Sequence, residues 1–350
     1  MTIRIGFVGC GHIASVHSLA IGVLGDAGIV DARVVAAYDS DRGRAARLAA
    51  PHDAVVADEI ESLVDACDVV WVCTWTSEHL PVVRAAVARG RPVFCEKPLA
   101  PALAECEEVA ALLRQVPHQV GLVLRHAPVF RALAGEVHSG RFGRPLATVF
   151  RDDQYFPNQG MYRSEWRADA SLAGGGTLIE HSIHDVDLLR WVLGDPSEVS
   201  ARLANRFGHA GIDDVAAVTF AYPDASVAML TSIWHQVMRR PSTRRIEVFC
   251  EDAMLWTDDD CLGPLHVETT DAVSQIGVSF PAWIGDLQLA PEIAALLAPY
   301  VVAARAFLDA LATGASGEPD AATALAAHQL VDAAYRSAAE GGAPLPVPAR

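Results

Sequence analysis

Basic residues are scarce in this chain. It has 350 residues, with 27 Lys and Arg against 43 Asp and Glu, for a formal net charge of −16. A surface of that sign repels phosphate backbones, so nucleic acid is not an expected partner. The one basic cluster, Arg239–Arg240 with Arg244–Arg245, is short and reads as a solvated loop. No apolar run is read as long enough to cross a bilayer, so no membrane partner is expected. The N-terminal MTIRIGFVGCG enters a strand pattern directly, without the regions of a secretory signal, so the expected location is cytoplasmic. CxxC pairs are absent too. Seven cysteines are an odd number, and Cys10, Cys73, Cys95 and Cys250 stand at strand ends or in apolar runs. That pattern fits reduced, packed thiols better than a disulfide framework. There is no internal repeat, and GASGEP (314–319) reads as a turn rather than a linker. What is plentiful is apolar sequence: 51% of residues, on a chain long enough for two domain cores.

The first third alternates strand-like and helix-like segments. Ile3–Val8, Arg33–Tyr38, Val69–Cys73, Val93–Cys95 and Gln119–Leu124 are β-rich. Ile13–Leu24, Arg42–Ala50, Glu78–Arg89 and Leu103–Arg114 are Ala-rich and helical in pattern. Apolar strands each followed by a helix predict parallel βαβ units in a doubly wound sheet. After residue 125 the pattern changes. A helix is predicted over Pro128–Ser139, and strand pairs Val215–Tyr222/Ser226–Trp234 and Arg245–Cys250/Met254–Thr257 read as antiparallel hairpins. An amphipathic helix is predicted over Leu178–Leu193, and two more, about 291–311 and 320–339, close the chain. The expected class is therefore α/β for residues 1–124 and α+β, with an open, mostly antiparallel sheet, for 125–350. The last helices are free to pack back on the first domain.

GFVGCGHIA contains Gly9-x-Gly11-x-x-Ala14 between a strand and a helix. Gly9 permits the tight turn, Gly11 lets a pyrophosphate approach the backbone, and Ala14 allows close helix–sheet packing. Amides of His12 and Ile13 then face the phosphates. The second strand ends in Asp39-Ser40, where an acidic group meets the adenosine ribose. Asp39 repels a 2′-phosphate, which favours NAD over NADP. The motif predicts a Rossmann-type dinucleotide site.

Two further stretches, VVWVCTWTSEH (69–79) and VFCEKPL (93–99), complete a pattern. With the glycine loop they resemble the glucose–fructose oxidoreductase/inositol dehydrogenase/rhizopine catabolism (Gfo/Idh/MocA) family, in motif order and spacing over nearly the whole chain. The family's C-T-P-N-x-x-H element appears as Cys73-Thr74-Trp75-Thr76-Ser77-Glu78-His79, with Trp75 and Thr76 replacing Pro and Asn. The E-K-P element is intact as Glu96-Lys97-Pro98. The resemblance implies that Thr74, Trp75, His79, Glu96 and Lys97 line the cofactor and that Lys97 also meets the substrate hydroxyl. A strand end in such a sheet faces the ligand crevice, where a lysine can steady an oxygen that gains negative charge.

GGGTLIEHSIHDVDLLRWVLG (174–194) resembles the family's second catalytic segment, G-G-G-x-L-x-D-x-x-x-H-D-x-D. Glu180 takes the Asp position and His184 the His position, one helical turn apart. The resemblance gives Lys97, His184 and Glu180 as catalytic residues, with His184 as general base. Thr177 and Glu180 also match a capping box, which leaves Glu180 with two readings. His181, His184, Asp185 and Asp187 do not converge on a helix, and no metal is expected. The loop DDQYFPNQGMYRSEWRADASLA (152–173) is rich in Tyr, Trp and Arg. Tyr155, Tyr162 and Arg167 are candidate substrate contacts, and Trp166-Arg167, candidate cofactor contacts, resembles a W-R pair that reaches the active site in some relatives; the loop reads almost as well as an oligomer contact.

The implied activity is reversible oxidation of a secondary alcohol on a cyclic polyol, an inositol, sugar or sugar derivative, by hydride transfer to NAD. Alternatives are a glycosidase that retains NAD and oxidises transiently, or a non-catalytic dinucleotide- and sugar-sensing regulator. The family also implies a homodimer or homotetramer through the second-domain sheet.

Overall fold

Ile3–Val8 (β1) and Ala32–Tyr38 (β2) run parallel, as the apolar pattern predicts, in a computed structural model that describes residues 2–240 and 242–347. Val55–Val56 (β3), Val69–Val72 (β4), Val93–Cys95 (β5) and His118–Val120 (β6) complete a six-stranded sheet in the order β3-β2-β1-β4-β5-β6. Every pairing in it is parallel. β4 is buried along its whole length, which is why its sequence, VVWV, shows no polar alternation. Helices α1 (His12–Asp26), α2 (Arg42–Ala49), α3 (Ile60–Ala66), α4 (His79–Val87) and α5 (Leu103–Leu113) are the crossovers. Chain order reverses between β1 and β4, the switch point at which such sheets bind ligands.

The chain divides into two compact units. The first is 1–123 with 281–325, and the second is 124–280 with 326–350. Residues 281–325 thus group with 1–123 rather than with 124–280. Within the first unit the helix Pro291–Leu311 packs on α1 and the sheet: Tyr300 meets His17, and Phe307 meets Trp71 and Phe94. This helix corrects the reading that no segment has bilayer-spanning length and apolarity. Its stretch Ile293–Leu311, 19 residues, satisfies both by length and composition. Core packing against aromatic rings accounts for that composition, since Val301, Ala304 and Phe307 are fully buried.

The second unit is built on a nine-stranded sheet in the order β14-β13-β12-β11-β7-β10-β9-β8-β15. Its strands are Pro145–Tyr155 (β7), Glu198–Ala204 (β8), Val215–Ala221 (β9), Val227–His235 (β10), Thr243–Cys250 (β11), Ala253–Thr257 (β12), Leu265–Thr269 (β13), Val273–Ile276 (β14) and Leu345–Pro346 (β15). Both predicted hairpins form, and among the described residues only the β7–β10 pairing is parallel. Alternating burial along β9 and β11 gives the sheet one core face and one open face. The core face packs on Pro128–Ser139 (α6) and on a helix that starts after residue 182.

That last helix differs from expectation. The predicted single helix over Leu178–Leu193 is two pieces, α8 (Thr177–Glu180) and α9 (Ile183–Leu193), with short α7 (Ala170–Ala173) before them. The break at His181–Ser182 comes from side chains that serve the sheet rather than the helix. Ser182 Oγ lies 2.9 Å from Asp152 Oδ2 and 2.6 Å from Ser232 Oγ. β7 also runs on to Tyr155, so the expected loop 152–173 begins as strand.

Of the arginine cluster, Arg239 is exposed in a turn, as a solvated loop would be, but the other three are engaged. Arg240 pairs with Asp153, Arg245 bonds Glu247 and stacks on Trp256, and Arg244 is buried.

Candidate functional site

Gly9 ends β1 at φ +86°, in the left-handed region that favours glycine. A Cβ there would lie 2.5 Å from the Cys73 carbonyl carbon and the Thr74 nitrogen, so the close approach of β1 and β4 also requires glycine. Gly11 is the N-cap of α1 and makes no side-chain cap bond. A Cβ built on Gly11 meets nothing within 4 Å. An open space above a helix N-terminus without acidic residues in its first turn suits a pyrophosphate. His12 is exposed, Ile13 is half-buried and Ala14 is fully buried.

Asp39 leaves β2 beside this loop. Its Oδ2 accepts from the Cys10 amide at 2.7 Å, and its Oδ1 from the Asp41 amide at 2.8 Å. The carboxylate is thereby fixed next to the glycine turn, with Ser40 exposed just beyond it. The Cys10 thiol beside it is pushed up to about 12 by burial and by the Asp39 charge, so it stays protonated. These residues fit a dinucleotide: an open glycine turn at a helix N-terminus and an acidic group for a ribose.

Beyond β4, Thr74 is half-buried and Trp75 is 36% exposed. His79 turns inward, and its Nδ1 lies 2.8 Å from the Pro98 carbonyl, tying this segment to the turn that carries Lys97. Glu96 is also buried. Its Oε1 is 2.7 Å from His17 Nε2, and its Oε2 accepts from the Lys97 amide at 3.1 Å. His79 and Glu96 thus hold the Lys97 turn, while Lys97 itself is half-buried at the end of β5.

In the second unit Glu180 is buried at the end of α8, and its Oε2 accepts from Arg167 Nε at 3.1 Å. Arg167 also donates to Ser164 and lies over the Trp166 ring at 4.4 Å. The fold brings Trp166, Arg167 and Glu180 into one cluster. Tyr155 is buried with its ring 5.6 Å from Tyr162, whose phenol is pushed up by burial. His184 is half-buried in the first turn of α9.

The capping-box reading of Glu180 does not hold. Gly176 is the N-cap of α8, and Thr177 Oγ1 bonds Ser232 Oγ at 2.7 Å instead. The cap comes from Asp213, whose carboxylate accepts from the Gly176 amide at 2.7 Å and the Leu178 amide at 3.0 Å. Tyr335 donates to the same carboxylate at 2.7 Å. A Cβ on Gly176 would sit 1.8 Å from the Asp213 carbonyl oxygen, so only glycine fits here.

Beneath α9 lies a buried cluster that sequence reasoning missed. Arg244 on β11 donates to Asp185 Oδ1 at 2.6 Å and to Asp260 Oδ2 at 2.8 Å, and its Nη2 lies 3.4 Å from Asp152 Oδ2. His181 Nε2 is 3.0 Å from Asp152 Oδ1. Asp185 Oδ2 meets no donor among the described residues. Burial, with the neighbouring Asp152 carboxyl, pushes Asp185 up to about 7. Asp152 is raised for the same first reason. Among the described residues, no group of three or more His, Cys, Asp or Glu is placed to hold a metal.

Residues 3–123 match the model of the oxidoreductase family with an NAD-binding Rossmann fold, and residues 130–256 match that of the GFO/IDH/MocA C-terminal domain. The chain is 29% identical to inositol 2-dehydrogenase of Rhizobium meliloti strain 1021, over 97% of this chain and 98% of that protein. It is 35% identical to 1,5-anhydro-D-fructose reductase of Ensifer adhaerens, over 44% of this chain and 47% of that protein. In structure it is similar to levoglucosan dehydrogenase in complex with NADH and levoglucosan, with a TM-score of 0.85, 21% identity and full coverage of both chains. The two matched segments span most of the sequence and both units: the chain belongs to the Gfo/Idh/MocA oxidoreductases and is an NAD-binding dehydrogenase of CH–OH groups.

Proposed function

We propose that this protein interconverts a secondary alcohol and a ketone on a cyclic polyol, an inositol or a sugar derivative, with NAD in preference to NADP. The observation that carries the reading is the Lys97 turn: a half-buried lysine at a strand end, held from behind by Glu96 and His79. Full-length likeness to an inositol 2-dehydrogenase supports the substrate class. Gly9, Gly11 and the amides of His12 and Ile13 would hold the pyrophosphate of NAD, and Asp39 the adenosine ribose. Thr74 and Trp75 stand at the neighbouring strand end. Bound there, NAD supplies the hydride acceptor.

The ammonium of Lys97 donates to the substrate oxygen and stabilises the negative charge that grows on it. His184 takes the hydroxyl proton as general base and returns it in the reverse direction. Arg167 holds the Glu180 carboxylate in place, so that Glu180 orients a substrate hydroxyl. Tyr155, Tyr162 and Trp166 offer ring faces and a phenol to a sugar. The Asp39 carboxylate, already fixed by two amides, repels a 2′-phosphate.

NADH formation, followed by nicotinamide absorbance over a panel of inositols and pyranoses, tests this. One polyol should respond, with NAD favoured. Lys97→Ala and His184→Ala should each lower kcat by roughly 10²–10⁴-fold. Full activity in Lys97→Ala would end the reading.

We also propose that the open face of the nine-stranded sheet pairs with a second copy. Val227, Met229 and Phe249 stand on it at 36%, 44% and 39% exposure. Light scattering should give a dimer or larger species, reduced to monomer by Met229→Glu. A wild-type monomer at micromolar concentration would refute it.

A further inference from the structure

His17 lies in the middle of α1, the helix whose N-terminus forms the glycine turn, and it is fully buried. Its ring is boxed by aromatic neighbours: Phe94 at 4.9 Å, Tyr300 at 5.2 Å and Trp71 at 6.1 Å between centroids. Its Nε2 meets Glu96 Oε1 at 2.7 Å, while Nδ1 has no hydrogen-bond partner among the described residues. With a proton on Nε2 the ring donates to the carboxylate.

The carboxylate itself has no room to swing. A Cβ added at Gly121, just past β6, would lie 2.5 Å from Glu96 Oε1. Its other oxygen takes the Lys97 amide. A continuous path of rigid parts therefore runs from the Gly11 helix terminus along α1, across one buried hydrogen bond, to the backbone of Lys97. An apolar side chain at residue 17 would fill the aromatic box equally well. A hydrogen bond adds direction, and it fixes the strand end in one place relative to the helix.

We infer that His17 is a positioning residue: through Glu96 it fixes the distance between the phosphate-binding turn and Lys97, so that a bound dinucleotide and the lysine are held in register. The inference rests on the catalytic reading of Lys97. It goes beyond that reading by giving a task in the reaction to a residue that touches neither substrate nor cofactor.

The test compares His17→Phe, His17→Gln, the double variant His17→Phe/Glu96→Gln and Lys97→Ala. The readouts are kcat, NAD affinity by tryptophan fluorescence and thermal melting. His17→Phe should lower kcat about 100-fold, the scale of a misplacement of roughly 1 Å, with NAD affinity held within about threefold. His17→Gln keeps an N–H at the Nε2 position and should recover most of kcat. The double variant removes the buried unpaired charge, so it should regain the melting temperature of the wild type while kcat stays low. A double variant with wild-type melting and wild-type kcat would overturn the inference and leave His17 a packing residue. If His17→Phe does not fold, the double variant and His17→Gln decide the matter by the same criteria. Activity surviving in Lys97→Ala would instead sink the catalytic reading. Loss in Lys97→Ala with no loss in the double variant sinks only the role of His17.

Discussion

In the first unit the carboxylate beside Lys97 meets one imidazole and one backbone amide. In the second unit, two carboxylates beneath the helix of His184, Asp152 and Asp185, share one guanidinium, and Asp260 draws on it as well. The first arrangement is a closed pair, with both Glu96 oxygens served. The second is crowded with carboxylates and leaves Asp185 Oδ2 without a donor among the described residues. Both place a candidate catalytic side chain on a buried polar base. The difference lies in what removing one member does: the pair loses direction, whereas the cluster loses the arginine that its carboxylates share.

Arg244→Leu is the change that separates the two most sharply. It leaves Asp152 and Asp185 buried without their cation, a loss of about 3–5 kcal/mol. Urea denaturation of the intact chain would measure it, and a loss below about 1 kcal/mol would mean that solvent reaches the cluster. In the first unit the stability cost of His17→Phe should be smaller, about 1–3 kcal/mol, because one carboxylate loses one of two donors. A cost equal to that of Arg244→Leu would erase the contrast.

The smallest effect is a pH slope. Asp185 is raised to about 7 from 3.8 by burial, so the folded chain binds a proton that the unfolded chain has released. The proton's stabilising contribution is fully present below the unfolded value and is lost as pH rises through about 7. Stability should fall by about 1.4 kcal/mol between about pH 6 and pH 8. Asp185→Asn should flatten that slope, and melting curves of the two proteins across the range would show it. An unchanged slope in Asp185→Asn would assign the titration elsewhere.

Much of the first unit was legible in the sequence because its signals are local. Apolar runs such as VVWV mark buried parallel strands, and Gly9, Gly11 and Asp39 follow strand ends in the order a dinucleotide site needs. The second unit was legible as hairpins, from turn residues between alternating strands. The same reasoning joined α8 and α9 into one helix. Nothing in TLIEHSIHDVD announces that Ser182 will bond Asp152 on a strand some thirty residues earlier. It also gave Thr177 and Glu180 a cap that Asp213 supplies from a distant loop.

The sequence by itself determined the two sheets, the glycine turn, Lys97 at a strand end and His184 on a helix, because strand and helix periods and turn chemistry act over a few residues. Tertiary structure alone decided the partners of the buried charges: Glu96 with His17, Glu180 with Arg167, and Arg244 with Asp152, Asp185 and Asp260. A buried charge must find its complement wherever the packed chain brings one. That neighbour is set by sheet order and helix contact, not by distance along the sequence.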